Sequence, residues 1–85
     1  MMQFEEAAHA VRTGTFATST EEQLMLYALY KIATVGRTPQ SSRNAFDPLQ
    51  TAKWDAWTAF GTQYTEQEAT TVYPVLVGKL RDRHP

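Results

Sequence analysis

Apolar residues in this chain recur three and four positions apart in four separate stretches, and nowhere do they alternate strictly with polar ones. That spacing gathers side chains on one face of an α-helix, whereas a half-buried strand needs a period of two. An all-α domain follows. Phe4, Ala7, Ala8 and Val11 mark a short first helix that Thr13 and Gly14 should end. Ser19 and Glu22 form a capping box, in which each side chain satisfies the other's backbone N–H, and it opens a second helix over about residues 21–35. Gly36 should stop that helix, because glycine readily adopts the positive φ of a helix terminus. Residues 37–45 contain Pro39, Ser41, Ser42 and Asn44 and read as a loop. Asp47 as cap and Pro48 at the first helical position start a third helix that reaches Phe60 and ends at Gly61. Thr65 with Glu68 makes another capping box and opens a fourth helix toward Arg83. Inside it Pro74 removes a backbone donor and is expected to bend the helix near Tyr73. Gly78 costs about 1 kcal/mol relative to alanine. Ala69, Val72, Tyr73, Leu76 and Leu80 keep their spacing across the proline, so a single bent helix is expected.

Eighty-five residues without a repeat or low-complexity segment make one small domain, residues 1–85. The absence of cysteine excludes disulfides and thiolate chemistry. His9 and His84 stand at opposite ends of the chain without ligand spacing, so no metal or cofactor is expected. A net charge of −1 speaks against a nucleic-acid partner, and any attraction for an anion must be built locally from a few of the eight lysines and arginines. The longest apolar run, residues 24–30, is far too short to cross a bilayer, and the N-terminus lacks a signal peptide's basic start and apolar stretch. A cytoplasmic protein without stable membrane insertion is the expectation.

Within this frame two clusters stand out. At about 100° per residue, Met25, Leu26, Leu29, Ile32 and Ala33 gather on a core face of the second helix. Leu24, Tyr27, Tyr30, Lys31 and Thr34 gather on the other side, with two tyrosines and a leucine around one cation. Tyr27 and Lys31 stand one turn apart and can address the same ligand group. In the third helix Leu49, Ala52, Trp54, Ala56, Trp57 and Phe60 form a broad apolar stripe with Lys53 in its middle. An ammonium so placed either snorkels to the edge or meets an anion. Aromatics at helical spacing are usually core and a lysine beside them is usually solvated, so spacing by itself leaves site and scaffold evenly matched.

Tyr27, Tyr30, Lys31, Ala33, Thr34, Val35 and Gly36 resemble the second-helix signature of the acyl-CoA-binding protein family, and Lys53, Trp54, Asp55, Ala56 and Trp57 resemble its third-helix signature at the expected distance. Phe4, Ala7, Ala8 and Val11, with Tyr73, Val77 and Leu80, also fall where the family has similar residues. The likeness covers nearly the whole chain. It implies a four-helix, up-down-down-up bundle that binds medium- to long-chain fatty acyl-CoA esters without catalysis, as a monomeric carrier and pool former. Tyr27 and Lys31 would then bind the ribose 3′-phosphate with help from Lys53, while Tyr30 and Tyr73 face adenine and ribose. Arg12 occupies a ligand-touching position that is often lysine, and Leu24 with its neighbours would contribute to the groove for the acyl chain. Departures from the family pattern include Leu49 in place of a frequent ligand-side lysine and Pro48 in place of an aromatic. Gly14 and Pro74 stand where apolar core residues are usual.

Two other classes compete. A helical module could dock a protein partner on the aromatic face of helix two, but a peptide groove does not require paired lysines. An enzyme would need a nucleophile, base or metal arrangement, and none is visible in the sequence.

Overall fold

A computed structural model describes residues 3–14, 16–36 and 48–83 of the chain. Four helices account for most of them: α1 (Phe4–Thr13), α2 (Thr20–Thr34), α3 (Pro48–Gly61) and α4 (Glu66–Asp82). No strand occurs among the described residues.

Local chemistry sets the ends of these helices. The N–H of Glu22 donates to Ser19 Oγ at 3.1 Å, and the N–H of Ser19 donates to Glu22 Oε1 at 2.8 Å. At α4 the N–H of Glu68 donates to Thr65 Oγ1 at 3.1 Å, and Thr65 N–H to Glu68 Oε1 at 2.9 Å. Both reciprocal boxes stand where the sequence places them. Gly14 ends α1 with φ 65°, and Gly36 follows α2 with φ 100°. The Glu66 carboxylate lies close by, within 2.8 Å of where a Cβ on Gly36 would stand, but it is the movable end of an exposed side chain, so the positive φ is what selects glycine there. The expected cap Asp47 and the expected loop over 37–45 lie outside the described residues. α4 runs unbroken through Pro74, which is itself buried.

Three helix pairs, each read at two places, fix how the helices run. Glu22 at the start of α2 meets Arg83 at the end of α4, while Gly36 after α2 lies against Glu66 at the start of α4, so α2 and α4 are antiparallel. Trp57 Nε1 donates to Gly36 O at 2.7 Å and Lys53 lies over Tyr27, so α2 and α3 are parallel. Phe4 stacks on Tyr30, late in α2, whereas Val11 and Gly14 share a groove with Gln23, so α1 opposes α2. The bundle is up-down-down-up.

Ala7, Leu26, Leu29, Ile32, Trp57, Ala69, Tyr73, Val77 and Leu80 form the core. Each fully buried Leu, Ile or Val stabilises the fold by about 1.5–3 kcal/mol relative to exposure. The expected core face of α2 is therefore present, with Met25 and Ala33 packed at its margin and Ala28 buried as well. The broad stripe expected on α3 is covered only in part, with Ala52, Trp54, Ala56 and Phe60 half-buried. Trp57 is its one buried residue, and Leu49 is 57% exposed. A continuous apolar stripe says that a face exists, but one neighbouring helix covers only part of it.

Candidate ligand-binding site

The site grows from the α2 face that carries Gln23, Leu26, Tyr27 and Tyr30, which are three and four residues apart and therefore aligned. They border a groove of about 730 Å³, within the usual range for small-molecule sites. α1 contributes Ala8, Val11 and Arg12, the α1–α2 connection Phe16, Ala17 and Thr18, α3 Lys53 and α4 Tyr73. From Gln23 to Tyr30 the α2 wall is about 10 Å long at 1.5 Å per residue. Ala8, Val11, Phe16, Ala17 and Leu26 give the groove apolar surface, and Arg12, Tyr27, Tyr30, Lys53 and Tyr73 give it hydroxyls and positive charge.

Because α2 and α3 run parallel, Lys53 meets the α2 aromatics at the level of Tyr27. Its Nζ lies 5.2 Å from the centre of the Tyr27 ring, and Lys31 Nζ lies 5.7 Å from that same ring and 5.7 Å from the Trp57 ring. Two ammonium groups thus converge on one phenol. Each contact contributes about 0.5–1 kcal/mol at an exposed site, but the cations repel one another, and an anion placed near both relieves that repulsion. Among the described residues Arg12, Lys31 and Lys53 form no ion pair, and the described lining holds no carboxylate. The groove is therefore locally electropositive in a chain of net charge −1.

At the Tyr30 end three rings meet. Phe4 stacks on Tyr30 with centroids 5.8 Å apart and lies 5.1 Å from Tyr73, and Tyr30 and Tyr73 are 6.0 Å apart. Tyr30 is 38% exposed, leaving ring surface available to a flat ligand, whereas Tyr73 is only 2% exposed and forms the floor. Burial, with a smaller contribution from Tyr30, pushes the Tyr73 phenol up to about 12, so it stays protonated and remains a donor at neutral pH.

Of the residues singled out in the sequence, Arg12, Tyr27, Tyr30, Lys53 and Tyr73 line this groove. Lys31 is outside the lining, with its Nζ 5.7 Å from the centres of both the Tyr27 and the Trp57 rings. Leu24 is half-buried outside the lining, and Leu26, assigned to the core face, lines the groove as well as the core. Two positions along a helix differ by about 200°, so Leu24 and Leu26 cannot both face the same space. Phe16, Ala17, Thr18 and Gln23 were not anticipated. Phe16 alone left a signal, as a large apolar residue in an otherwise small and polar connection. Phe4 was anticipated as a helix residue but not as the ring that sets the position of Tyr30.

Residues 1–77 match the family described as acyl-CoA-binding protein. The chain belongs to the acyl-CoA-binding protein family. It is 46% identical over 78 residues to an acyl-CoA-binding protein of Fritillaria agrestis, covering 92% of this chain and 88% of that one. It is 42% identical over 79 residues to acyl-CoA-binding domain-containing protein 3 of Oryza sativa subsp. japonica, covering 93% of this chain but only 50% of that longer protein. In structure it is similar to the crystal structure of Oryza sativa acyl-CoA-binding protein 2, with a TM-score of 0.82, 35% identity and coverage of 94% and 88% of the two chains. The up-down-down-up bundle deduced from the helix contacts is thus the fold of an acyl-CoA-binding protein.

Proposed function

We propose that this chain binds fatty acyl-CoA esters without catalysing their conversion and acts as a cytoplasmic, monomeric carrier that holds a pool of them. The observation that carries this reading is the convergence of Lys31 and Lys53 on Tyr27 beside a groove that Ala8, Val11, Phe16, Ala17 and Leu26 also line. A nucleotide phosphate needs positive charge and donors, and a fatty tail needs apolar walls. The groove offers both within one small-molecule volume.

In this reading Lys31 and Lys53 provide point charges for the ribose 3′-phosphate, and the Tyr27 hydroxyl donates to it. Each charge-assisted hydrogen bond contributes about 1.5–3 kcal/mol. Tyr30 packs against adenine, since its exposed ring can meet a flat base face-on or at the edge. The protonated Tyr73 phenol donates to the ribose from the floor, and Arg12 adds a third positive charge. The tail lies along Val11, Phe16 and Leu26, gaining about 0.8 kcal/mol for each CH₂ removed from water. Leu24 contributes at most to the margin of that wall. Head-group contacts set selectivity for CoA esters over free acids, and tail burial sets dependence on chain length.

Calorimetric titration with palmitoyl-CoA, CoA and palmitate tests the proposal. The ester is expected to bind most tightly, CoA measurably, and palmitate far more weakly than the ester. Equal affinity for ester and palmitate would mean that the lysine–tyrosine cluster reads no nucleotide. Docking of a protein partner on the aromatic face of α2 is disfavoured, because that face borders a concave, cationic groove.

A further inference from the structure

We infer that Arg83 is a positioning residue for the groove: from the end of α4 it clamps the α1–α2 connection and so sets affinity for the acyl tail, an inference that rests on the acyl-CoA reading. Arg83 lies beyond residues 1–77, the part matched by the family. Its guanidinium grips Glu22 with two bonds, one from Nη1 to Oε2 and one from Nη2 to Oε1 at 2.9 Å, across 61 residues of chain. The same Oε1 of Glu22 accepts the N–H of Ser19 at 2.8 Å, and Ser19 Oγ accepts the N–H of Glu22 at 3.1 Å. Ser19 directly follows Phe16, Ala17 and Thr18, which form one wall of the groove.

The linkage is continuous. α4 holds Arg83, Arg83 holds the Glu22 carboxylate, Glu22 holds the Ser19 backbone, and Ser19 ends the wall. A planar, bidentate guanidinium–carboxylate pair restricts direction as well as distance, which an ammonium does not. The hydrogen bond from Arg83, followed by that from Ser19, holds the Glu22 carboxyl down at about 2, so it is ionised throughout the physiological range. At the other end of the connection Gly14 turns the chain with φ 65°. Its N–H bonds to Val11 O at 3.2 Å and Phe16 packs against the core, so the Ser19 end adds a second point of restraint on the wall. Phe16 and Ala17, so restrained, belong to the apolar lining of the groove, whereas Tyr27, Lys31 and Lys53 are held by α2 and α3. Arg83 therefore acts on the tail and not on the head group.

The test compares wild type with Arg83→Ala, Arg83→Lys and Glu22→Gln, the last keeping an acceptor for Ser19 while losing the charge. Calorimetry with palmitoyl-CoA and with CoA is run beside amide hydrogen exchange over residues 16–19. Arg83→Ala and Glu22→Gln are expected to weaken palmitoyl-CoA binding about threefold to tenfold, to leave CoA affinity unchanged, and to speed exchange in the wall. Arg83→Lys should fall between them and wild type. Equal losses for ester and CoA, or unchanged ester affinity, would overturn the inference, as would wall exchange that stays at the wild-type rate. A wild type that binds neither ligand would instead overturn the acyl-CoA reading, and wall exchange would still report whether the clamp exists.

Discussion

α3 and α4 are of similar length but hold on to the protein in different ways. α4 buries Ala69, Tyr73, Pro74, Val77 and Leu80 along one continuous face, and both α1 and α2 pack on it. α3 buries only Trp57, packs chiefly on α2, and is pinned by the bond from Trp57 Nε1 to Gly36 O. Yet α3 brings Lys53 to the groove. The less embedded of these two helices thus carries half of the paired charge, and the more embedded one supplies the floor. Stability and ligand binding are spread unequally over the fold, and the difference can be measured.

The largest effect is expected from removing the α3 anchor. Trp57→Ala should cost about 3–5 kcal/mol, the usual range for deleting a large buried aromatic, and should abolish ester binding because Lys53 leaves with α3. Denaturant unfolding and calorimetry on the same variant check this. A stability loss with binding retained would show that α3 is held by more than one side chain. Next in size is Lys31→Ala, expected to weaken palmitoyl-CoA binding at least about tenfold, roughly 1.4 kcal/mol, with the helical circular dichroism of the wild type. Unchanged affinity would remove Lys31 from the site and leave Lys53 and Arg12 as its charges. The smallest concerns α4. A Cβ at Gly78 meets nothing within 4 Å, so Gly78→Ala should stabilise the protein by about 0.5–1 kcal/mol through helix propensity alone. A raised melting temperature with ester affinity unaltered would confirm that α4 is a scaffold. Destabilisation would mean that the helix tolerates no further bulk there.

How far the sequence could be read differs between these same helices. On α4 the face Ala69, Tyr73, Leu80 was legible, because every apolar residue in the stripe finds a neighbour on α1 or α2. On α3 the stripe was equally plain but Leu49 is 57% exposed, since periodicity does not report how far a neighbouring surface covers a face. In the groove, the aligned Tyr27, Tyr30 and the two lysines were visible as an unusual mixture of rings and charge. The wall made by Phe16, Ala17 and Thr18 was not, because short connections follow no period. The floor role of Tyr73 was suggested by family resemblance, while its near-complete burial depends on Phe4 and Tyr30 closing over it.

The sequence by itself determined four helices and most of their ends, because a capping box or a positive-φ glycine acts within three or four residues of its own position. Ser19, Thr65, Gly14 and Gly36 act in that way. Tertiary structure decided which faces meet: that α2 and α3 run parallel and put two ammonium groups on one phenol, that Trp57 reaches Gly36, and that Arg83 reaches Glu22. Those contacts join residues far apart in the chain, and their geometry exists only once the helices have docked.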